Sequence, residues 1–438
     1  MDKLIAQLEQ TSIPKHEAPY DPGFRPAALW TRAYRKLAAA SAGRRPVRIA
    51  LGRLDGIVFH YALEILPWSA ETAEATYRYI ERTLKYLLWQ KGGCFVWVAG
   101  CPEAAARLAA DYRAGGTRAF DADVMGETIF GAPFTVKACT EAELPAASEP
   151  QFKMGGCWKG CRIGFDLGGS DRKCAAVIDG KVVHTEEVPW SPVTQADWTY
   201  HHDGIEDSLR RAAAHLPRVD AIGGSSAGVY VNNQARIASL FRAIPRPDFN
   251  AHVRTLFLDI QKAWNVPFVL MNDGDVTALA GSLSLEDHPV LGMAFGTSLA
   301  GGYCGSDGGL TSWLNELAFV PIDFRSMGAP QDDWSGDCRH SRPGESRGPV
   351  PGSPQRTHER KMPVQLLRRR LGDIQQLVRR LRDHLHRAEL PRSPQRRPGL
   401  HGGRCNGERC LAQGRHHREL HDCQFVPLVL YLSANEEE

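Results

Sequence analysis

The stretch 163–180, IGFDLGGSDRKCAAVIDG, restricts the possible folds of this chain more than any other. Apolar residues alternate with small or polar ones up to Gly168 and Gly169, and the residues after this pair become apolar again. The pattern predicts a strand, a glycine turn and a returning strand, in which the two glycines allow positive φ and a close backbone approach.

Three polar residues near this turn are the types that bind phosphate. Asp166 ends the first strand, where a carboxylate could hold a hydrated Mg²⁺, while Ser170 and Lys173 offer a hydroxyl and a positive charge. An ordinary hairpin with a glycine turn remains the alternative, because short glycine motifs recur by chance.

Length and composition place the chain among multidomain globular proteins. It has 438 residues, 43% of them hydrophobic and 24% charged, with a net charge of +3. This charge requires neither a nucleic acid nor a membrane as partner. The N-terminal sequence lacks the apolar core of a secretory signal, so a cytoplasmic location is expected. Eleven cysteines without regular short spacing indicate reduced thiols, including Cys157 and Cys161.

Residues 1–150 have the pattern of an α/β unit. Apolar alternation and helical periodicity predict three strands and two helices: strands at 47–51, 56–66 and 95–100, and helices at 71–90 and 102–113. Four polar residues of this region are expected to serve packing or solvation: His60 in a strand, and Asp121, Asp123 and Glu127 in a loop. It contains no recognisable helix-turn-helix for reading DNA.

The order of elements after residue 162 repeats itself. A strand ends at Asn272 and Asp273, directly before a predicted helix, where α/β proteins place ligand chemistry. A second strand, glycine turn and returning strand then follow at 291–305. The second half therefore restarts like the first.

Four segments in this order resemble the ROK family of sugar kinases and repressors, within the duplicated fold of actin and hexokinase. The family's first phosphate loop, its Asn-Asp segment, its second phosphate loop and the stretch after it are similar to DLGGSDRK (166–173), NDGDVTALAG (272–281), AFGTSLAGGY (294–303) and WLNELAFVPID (313–323). Four motifs in the family's order are more specific than any one of them.

The resemblance implies a role for each matching residue. Asp273 would be the base that takes a proton from the attacking sugar hydroxyl, and Asn272, Glu316 and Gly228 would bind the sugar. Asp166 would hold Mg²⁺ through water. The ATP phosphates would be bound by the two glycine turns: Gly168, Gly169, Ser170, Lys173, Gly296, Thr297 and Ser298. Phosphoryl transfer needs positioning, charge neutralisation and a proton acceptor, which such a set can supply.

Two positions need separate comment. Phe319 stands where the family has a histidine that contacts sugar and helps to hold a zinc ion, so the resemblance predicts no zinc and leaves the sugar undetermined. Asp275 competes with Asp273 for the role of base. Its place at the helix start instead predicts a capping or first-turn residue that contributes stability through the helix dipole.

The composition changes after Asp337. The segment 338–438 carries 19 of the 41 arginines and half of the 16 histidines, but one of the 12 lysines. Three explanations stay open: translation out of frame from a GC-rich gene, a genuine basic tail that binds nucleic acid, and a divergent but complete second lobe.

The predicted fold is therefore α/β, a ribonuclease H-like duplicated fold of the actin and hexokinase type with an incomplete second lobe and an extra N-terminal α/β domain. The predicted parts are an N-terminal domain, a linker, a first lobe, the start of a second lobe and a basic tail: 1–150, 151–161, 162–275, 276–337 and 338–438.

The resemblance implies ATP-dependent phosphorylation of a hexose or N-acyl hexosamine, with ATP and Mg²⁺ as cofactors. A non-catalytic sugar-sensing protein and a nucleic-acid-binding protein remain alternatives. The expected partners are a sugar and ATP, without a membrane, and a homodimer is left open.

Overall fold

The computed structural model describes residues 2–16, 23–154, 156–285, 288–295 and 299–325. These residues all belong to one compact unit. The basic tail of the sequence lies outside the described residues.

The N-terminal part is a four-stranded sheet with helices packed against it. The sheet has the order β2-β1-β3-β4, with β1 antiparallel to both neighbours and β4 parallel to β3. Its elements are α1 (Lys3–Thr11), α2 (Ala27–Ala40), β1 (Arg45–Gly52), β2 (Val58–Ile65), α3 (Ala73–Lys91), β3 (Phe95–Ala99), α4 (Pro102–Asp111), α5 (Ala119–Asp123) and β4 (Thr135–Cys139).

Helix α3 is the central helix of this part. Twelve of its 19 residues are buried, so little of its surface meets solvent. Three of the buried side chains are charged, and partners from the α4–α5 region neutralise two of them: Lys85 bonds to Asp121 at 3.0 Å, and Glu81 accepts from Arg118 at 2.6 Å. The predicted loop around Asp121 is thus wrong, because a buried ion pair stabilises a short helix there.

The central sheet has five strands in the order β12-β9-β6-β7-β8. Strand β7 runs antiparallel between β6 and β8, whereas β9 and β12 are parallel to β6. This is the ribonuclease H-like strand order, and it confirms the predicted fold class. The elements of this region are β5 (Gln151–Phe152), β6 (Cys161–Leu167), β7 (Asp171–Ile178), β8 (Lys181–Pro189), α6 (Trp198–Ala213), β9 (Ala221–Ser226), β10 (Val229–Val231), β11 (Gln234–Ile237), α7 (Arg246–Asp248), α8 (Leu256–Trp264) and β12 (Phe268–Asn272).

A further four-stranded sheet, which we call the second sheet, follows the central one. Its elements are α9 (Asp273–Leu285), β13 (Val290–Phe295), β14 (Leu299–Cys304) and β15 (Leu310–Thr311). The sheet has the order β13-β14-β15-β5, so residues of the predicted linker supply its last strand.

The backbone of helix α9 packs closely against the backbones of β13 and β14. A Cβ atom on Gly302 would stand 2.3 Å from the carbonyl oxygen of Gly274, and one on Gly292 would stand 2.4 Å from the nitrogen of Ala278. Only glycine permits this approach. The second glycine motif therefore places the helix that begins with Asp273 directly on the sheet.

Residues 313–325, which we call the strap, cross from this sheet to the N-terminal part. Val320 and Phe324 belong to the N-terminal core, where the Phe324 ring lies 5.3 Å from that of Trp30. The amide of Ala27 donates to the Ile322 carbonyl at 2.9 Å. The N-terminal core is therefore completed by residues from the far end of the described chain.

Candidate functional site

The polar ends of three parallel strands meet at one edge of the central sheet. Asp166 on β6 is in register with Ser225 on β9, and Ser226 in turn is in register with Asn272 on β12. Asp273 follows as the first residue of α9. This edge is the position at which open α/β sheets bind ligands.

Asn272 holds two backbone segments of this edge together. Its side-chain nitrogen donates to the Gly228 carbonyl at 2.8 Å, and its oxygen accepts from the Gly274 amide at 2.7 Å. Gly228 has a φ of 132°, and a Cβ there would lie 2.5 Å from the Ile237 carbonyl oxygen, which explains the glycine. A sugar contact by Asn272 or Gly228 stays a prediction.

Glu316 reaches the same region from the strap. Burial raises the pKa of its carboxyl to about 8, and the negative charge of Asp273 adds to this effect. An acid with this pKa is largely protonated at neutral pH, so it can donate a hydrogen bond to a ligand oxygen. The structure thus brings Asp273 and Glu316, two of the predicted site residues, close enough to interact.

Asp275 is a further acid of this cluster. Burial raises the pKa of its carboxyl well above the usual range, and the charges of Asp273 and Glu316 raise it further. Among the described residues, one of its oxygens is buried without a hydrogen-bond partner. Asp275 does lie in the first turn of α9, as predicted, but the expected stabilisation by the helix dipole is outweighed by burial beside two like charges.

Tyr230 completes the cluster, and sequence reasoning missed it. Its hydroxyl donates to the Ser226 side chain at 2.8 Å. Burial raises its pKa far above the usual value, and the charges of Asp273, Asp166 and Glu316 contribute in the same direction. Tyr230 therefore lies among the three acids.

A sequence signal for Tyr230 does exist. Asn232 and Asn233 both have left-handed φ angles, 52° and 60°, and they join β10 to β11. Two asparagines between short apolar runs predict a two-residue hairpin turn. That hairpin would have placed Tyr230 just beyond the end of β9.

The first glycine turn has the predicted position but another conformation. Neither Gly168 nor Gly169 has a positive φ, so this part of the prediction is wrong. The turn instead closes through the Gly168 amide, which donates to the Asp171 carbonyl at 2.9 Å. A Cβ on Gly169 would meet no atom of the described residues within 4 Å.

The side chains predicted for phosphate both bind Asp171. Lys173 forms an ion pair with one carboxylate oxygen at 2.8 Å, and the Ser170 hydroxyl donates to the other, also at 2.8 Å. An anionic group thus already contacts the two phosphate candidates. The second turn, with Gly296, Thr297 and Ser298, lies outside the described residues.

Phe319 stacks on Trp89 of α3, with ring centroids 4.1 Å apart and an interplanar angle of 15°. Phe120 lies 6.2 Å from the Trp89 ring. At the position where the family has a sugar-contacting histidine, this chain therefore has an aromatic contact to the N-terminal part.

The acids can be tested for their fit to Mg²⁺. In the described part of the chain, no three His, Cys, Asp or Glu side chains form a ready metal cage. A hydrated Mg²⁺ needs only one or two carboxylates, so Asp166 could hold it through water. Burial raises the pKa values of Asp275 and Glu316, and the negative charge of Asp273 raises them further, so a cation held nearby by Asp166 would relieve part of that repulsion. Asp166 therefore fits the ion.

No helix in the described ranges combines the length and hydropathy that a membrane span requires.

Comparisons with known proteins find no matching family model and no matching curated protein. Among solved structures, the ROK hexokinase from Thermus thermophilus shares 21% identity over 36% of this chain and 52% of that chain, with a TM-score of 0.30. A glucokinase from Parabacteroides distasonis has 18% identity, coverages of 36% and 47%, and a TM-score of 0.29. A ROK family transcriptional regulator, a homolog of the E. coli MLC protein, has 21% identity, coverages of 38% and 42%, and a TM-score of 0.31.

The chain spans about half the length of these structures. At such identities the likeness concerns the fold, which the strand order of the central sheet defines independently. ROK-family proteins, the family that the motifs resemble, are thus among the solved structures that this chain is similar to. The strand order of the central sheet is that of the actin and hexokinase type of fold.

Proposed function

We propose that this chain binds a sugar between Asp273, Asp275 and Glu316 and contains the catalytic base of a ROK-like sugar kinase. The observation that carries the proposal is the meeting of these acids at the carboxyl edge of a ribonuclease H-like sheet. Carboxyl groups bind sugar hydroxyls well, because they can accept and, when protonated, donate hydrogen bonds.

Each acid has a distinct part in the proposed reaction. Asp273 accepts the proton of the attacking hydroxyl, which requires its ionised form. Glu316, with a pKa of about 8, is largely neutral at pH 7 and donates a hydrogen bond that orients the sugar. A Mg²⁺ ion, when held by Asp166 through water, would neutralise phosphate charge.

The first experiment measures sugar binding and phosphoryl transfer separately. The full chain is titrated calorimetrically with hexoses and N-acyl hexosamines, and a coupled assay then follows ADP formation with Mg²⁺-ATP. Where turnover is found, Asp273→Asn should lower kcat by about 10²–10⁴ while sugar affinity stays close to the parent value. Glu187→Gln, at an exposed position on β8, is the control that should change neither quantity.

Two results would contradict the proposal. If no sugar binds at millimolar concentration, the acid cluster is not a sugar site. If Asp273→Asn leaves turnover intact while Asp275→Asn abolishes it, the base is Asp275.

A second candidate is a sugar sensor without turnover, which the contacts of Asp171 favour. Its carboxylate binds Ser170 and Lys173, the two side chains proposed for the ATP phosphates. We therefore expect Mg²⁺-ATP to bind the full chain with a dissociation constant weaker than about 1 mM, above the usual substrate range.

Asp171→Asn distinguishes the two candidates. It keeps the shape of the side chain but removes the negative charge, so Lys173 becomes available to phosphate. Tighter Mg²⁺-ATP binding by this variant would show that the Asp171 contacts block phosphate in the parent chain, which supports the sensor. Unchanged binding, as also expected for the control Asp203→Asn at an exposed ion pair, would show that they do not block phosphate and would favour the kinase. Micromolar binding by the parent chain would exclude the inhibitory role of Asp171.

A further inference from the structure

The last turn of α3 holds the backbone of the strap at Glu316. Three consecutive amides of the strap donate to three consecutive carbonyls at the helix end, with the Glu316 amide bonding to the Trp89 carbonyl at 3.0 Å. The other two bonds are Asn315 to Gln90 at 2.9 Å and Leu314 to Lys91 at 3.3 Å. These carbonyls are the orphan acceptors of a helix terminus, so the strap satisfies groups that would otherwise need water.

Side chains on both sides of Glu316 strengthen this attachment. Before it in the chain, the Trp313 ring lies 3.3 Å from the Lys91 ammonium nitrogen, a cation–π contact. After it, Phe319 stacks on Trp89 at 4.1 Å. Aromatic residues on both sides of Glu316 in the chain therefore contact the same end of α3.

The buried ion pair of the N-terminal part also holds the Trp89 ring, through a hydrogen bond from its indole N–H. Its indole N–H donates to Asp121 at 2.7 Å, and Asp121 also binds Lys85 at 3.0 Å. Trp89 is buried, so its ring offers Phe319 a surface of defined position.

We propose that Phe319, stacked on Trp89, is a positioning residue for Glu316, and that the N-terminal part serves to place this acid in the ligand site. The proposal rests on the proposed function in so far as Glu316 binds the sugar. Its structural content, the coupling of Phe319 to Glu316, can be measured without any sugar.

The strap supplies a matched control for the test. Phe324 is another aromatic residue of the strap and packs against Trp30 of the same N-terminal core with tilted rings, but it lies eight residues beyond Glu316. Phe324→Ala therefore removes a comparable contact at the other end of the strap. Phe319→Tyr keeps the stacked ring and serves as the rescue variant.

The experiment uses the full chain with ¹³C-labelled glutamate side chains and amide hydrogen exchange. We expect Phe319→Ala to speed exchange of the Asn315 and Glu316 amides by about tenfold or more, because their bonds to α3 open locally. Water then reaches the Glu316 carboxyl, and its pKa falls towards the ordinary glutamate range although Asp273, Asp275 and Tyr230 still face it. Glu316→Gln identifies the resonance.

Phe319→Tyr should match the parent in both readouts, and Phe324→Ala should leave both unchanged near Glu316 even where it lowers overall stability. Unaltered exchange and pKa in Phe319→Ala would overturn the proposal, as would an equal change in Phe324→Ala. If Phe319→Ala fails to fold, Phe319→Leu replaces it, since leucine keeps apolar volume without a stacked ring.

Sugar titration separates this proposal from the proposed function. Weaker sugar binding by Phe319→Ala together with faster exchange supports both. Faster exchange in a chain that binds no sugar supports the positioning role and contradicts the sugar site.

Discussion

At the scale of single residues, the candidate site is defined by acids that are disfavoured in their charged form. Glu316 and Asp275 are both buried, the negative charge of Asp273 raises the pKa of both carboxyls, and that of Glu316 raises the pKa of Asp275 further. In such surroundings a carboxylic acid is favoured over a carboxylate. The free energy of unfolding should therefore depend on pH, and substitutions at Glu316 and Asp275 should change that dependence.

Glu316→Gln should flatten the dependence of stability on pH. The folded pKa of about 8 lies above the ordinary value of 4.5, so the folded state holds a proton that the unfolded chain releases. The free energy of unfolding then falls as pH rises from about 4.5 to about 8, by at most ~1.4 kcal/mol per pH unit. Urea titrations at several pH values measure this slope. A slope equal to that of the parent chain and of Glu187→Gln would contradict the burial of Glu316.

Asp275→Asn should raise stability above neutral pH, opposite to the expectation from its helix-start position. Its folded pKa is raised, so the parent chain loses stability as pH rises above the ordinary aspartate range, whereas asparagine carries no charge to bury. We expect thermal unfolding at pH 8 to occur at higher temperature in the variant and at pH 4 to be unchanged. A lower midpoint at pH 8 would show that the carboxylate has a stabilising partner.

At the scale of elements, glycines decide how α9 meets the second sheet. The sequence motif at 294–303 was assigned to phosphate binding, yet its Gly302 also makes room for the helix backbone, as does Gly292 just before the motif. Sequence patterns predicted the strands and the helix well, because apolar periodicity reports them directly. The close approach could not be predicted, since it depends on which backbone lies opposite each glycine.

Gly302→Ala should disturb the start of α9. Its Cβ would stand 2.3 Å from the Gly274 carbonyl oxygen and 2.4 Å from the Asp275 Cα, both of which are backbone atoms. The helix must shift, at a cost of about 1–3 kcal/mol or more. Chemical denaturation measures the loss. Gly223→Ala, whose Cβ meets nothing within 4 Å, is the control and should stay within about 0.5 kcal/mol of the parent. Equal stability of the two variants would rule out the close approach.

At the scale of the whole molecule, the N-terminal part and the strap form one core. The sequence predicted an α/β unit at 1–150, and its strands and helices are present. That this unit needs Val320 and Phe324 could not be predicted, because the partners lie more than a hundred residues away and carry no periodic signal. The predicted boundaries of the N-terminal domain and the linker stay predictions.

A fragment comprising residues 1–150 should therefore be incompletely folded. Without the strap, the rings of Trp30 and Trp89 lose their aromatic partners Phe324 and Phe319 and become exposed. A fusion of 313–325 to the fragment through a flexible linker should restore cooperative thermal unfolding, and the same fusion with both phenylalanines replaced by alanine should not. Cooperative unfolding of the unfused fragment would show that the strap is dispensable for this core.

The stack of Phe319 on Trp89 also has a consequence for the history of the gene. Phe319 stands where the resembled motif has an imidazole, and its ring is the one that contacts the N-terminal part. We therefore expect this ring and the N-terminal part to be inherited together. Genes of this kind that lack the N-terminal region should encode histidine at this codon, and those that carry it should encode a large planar ring.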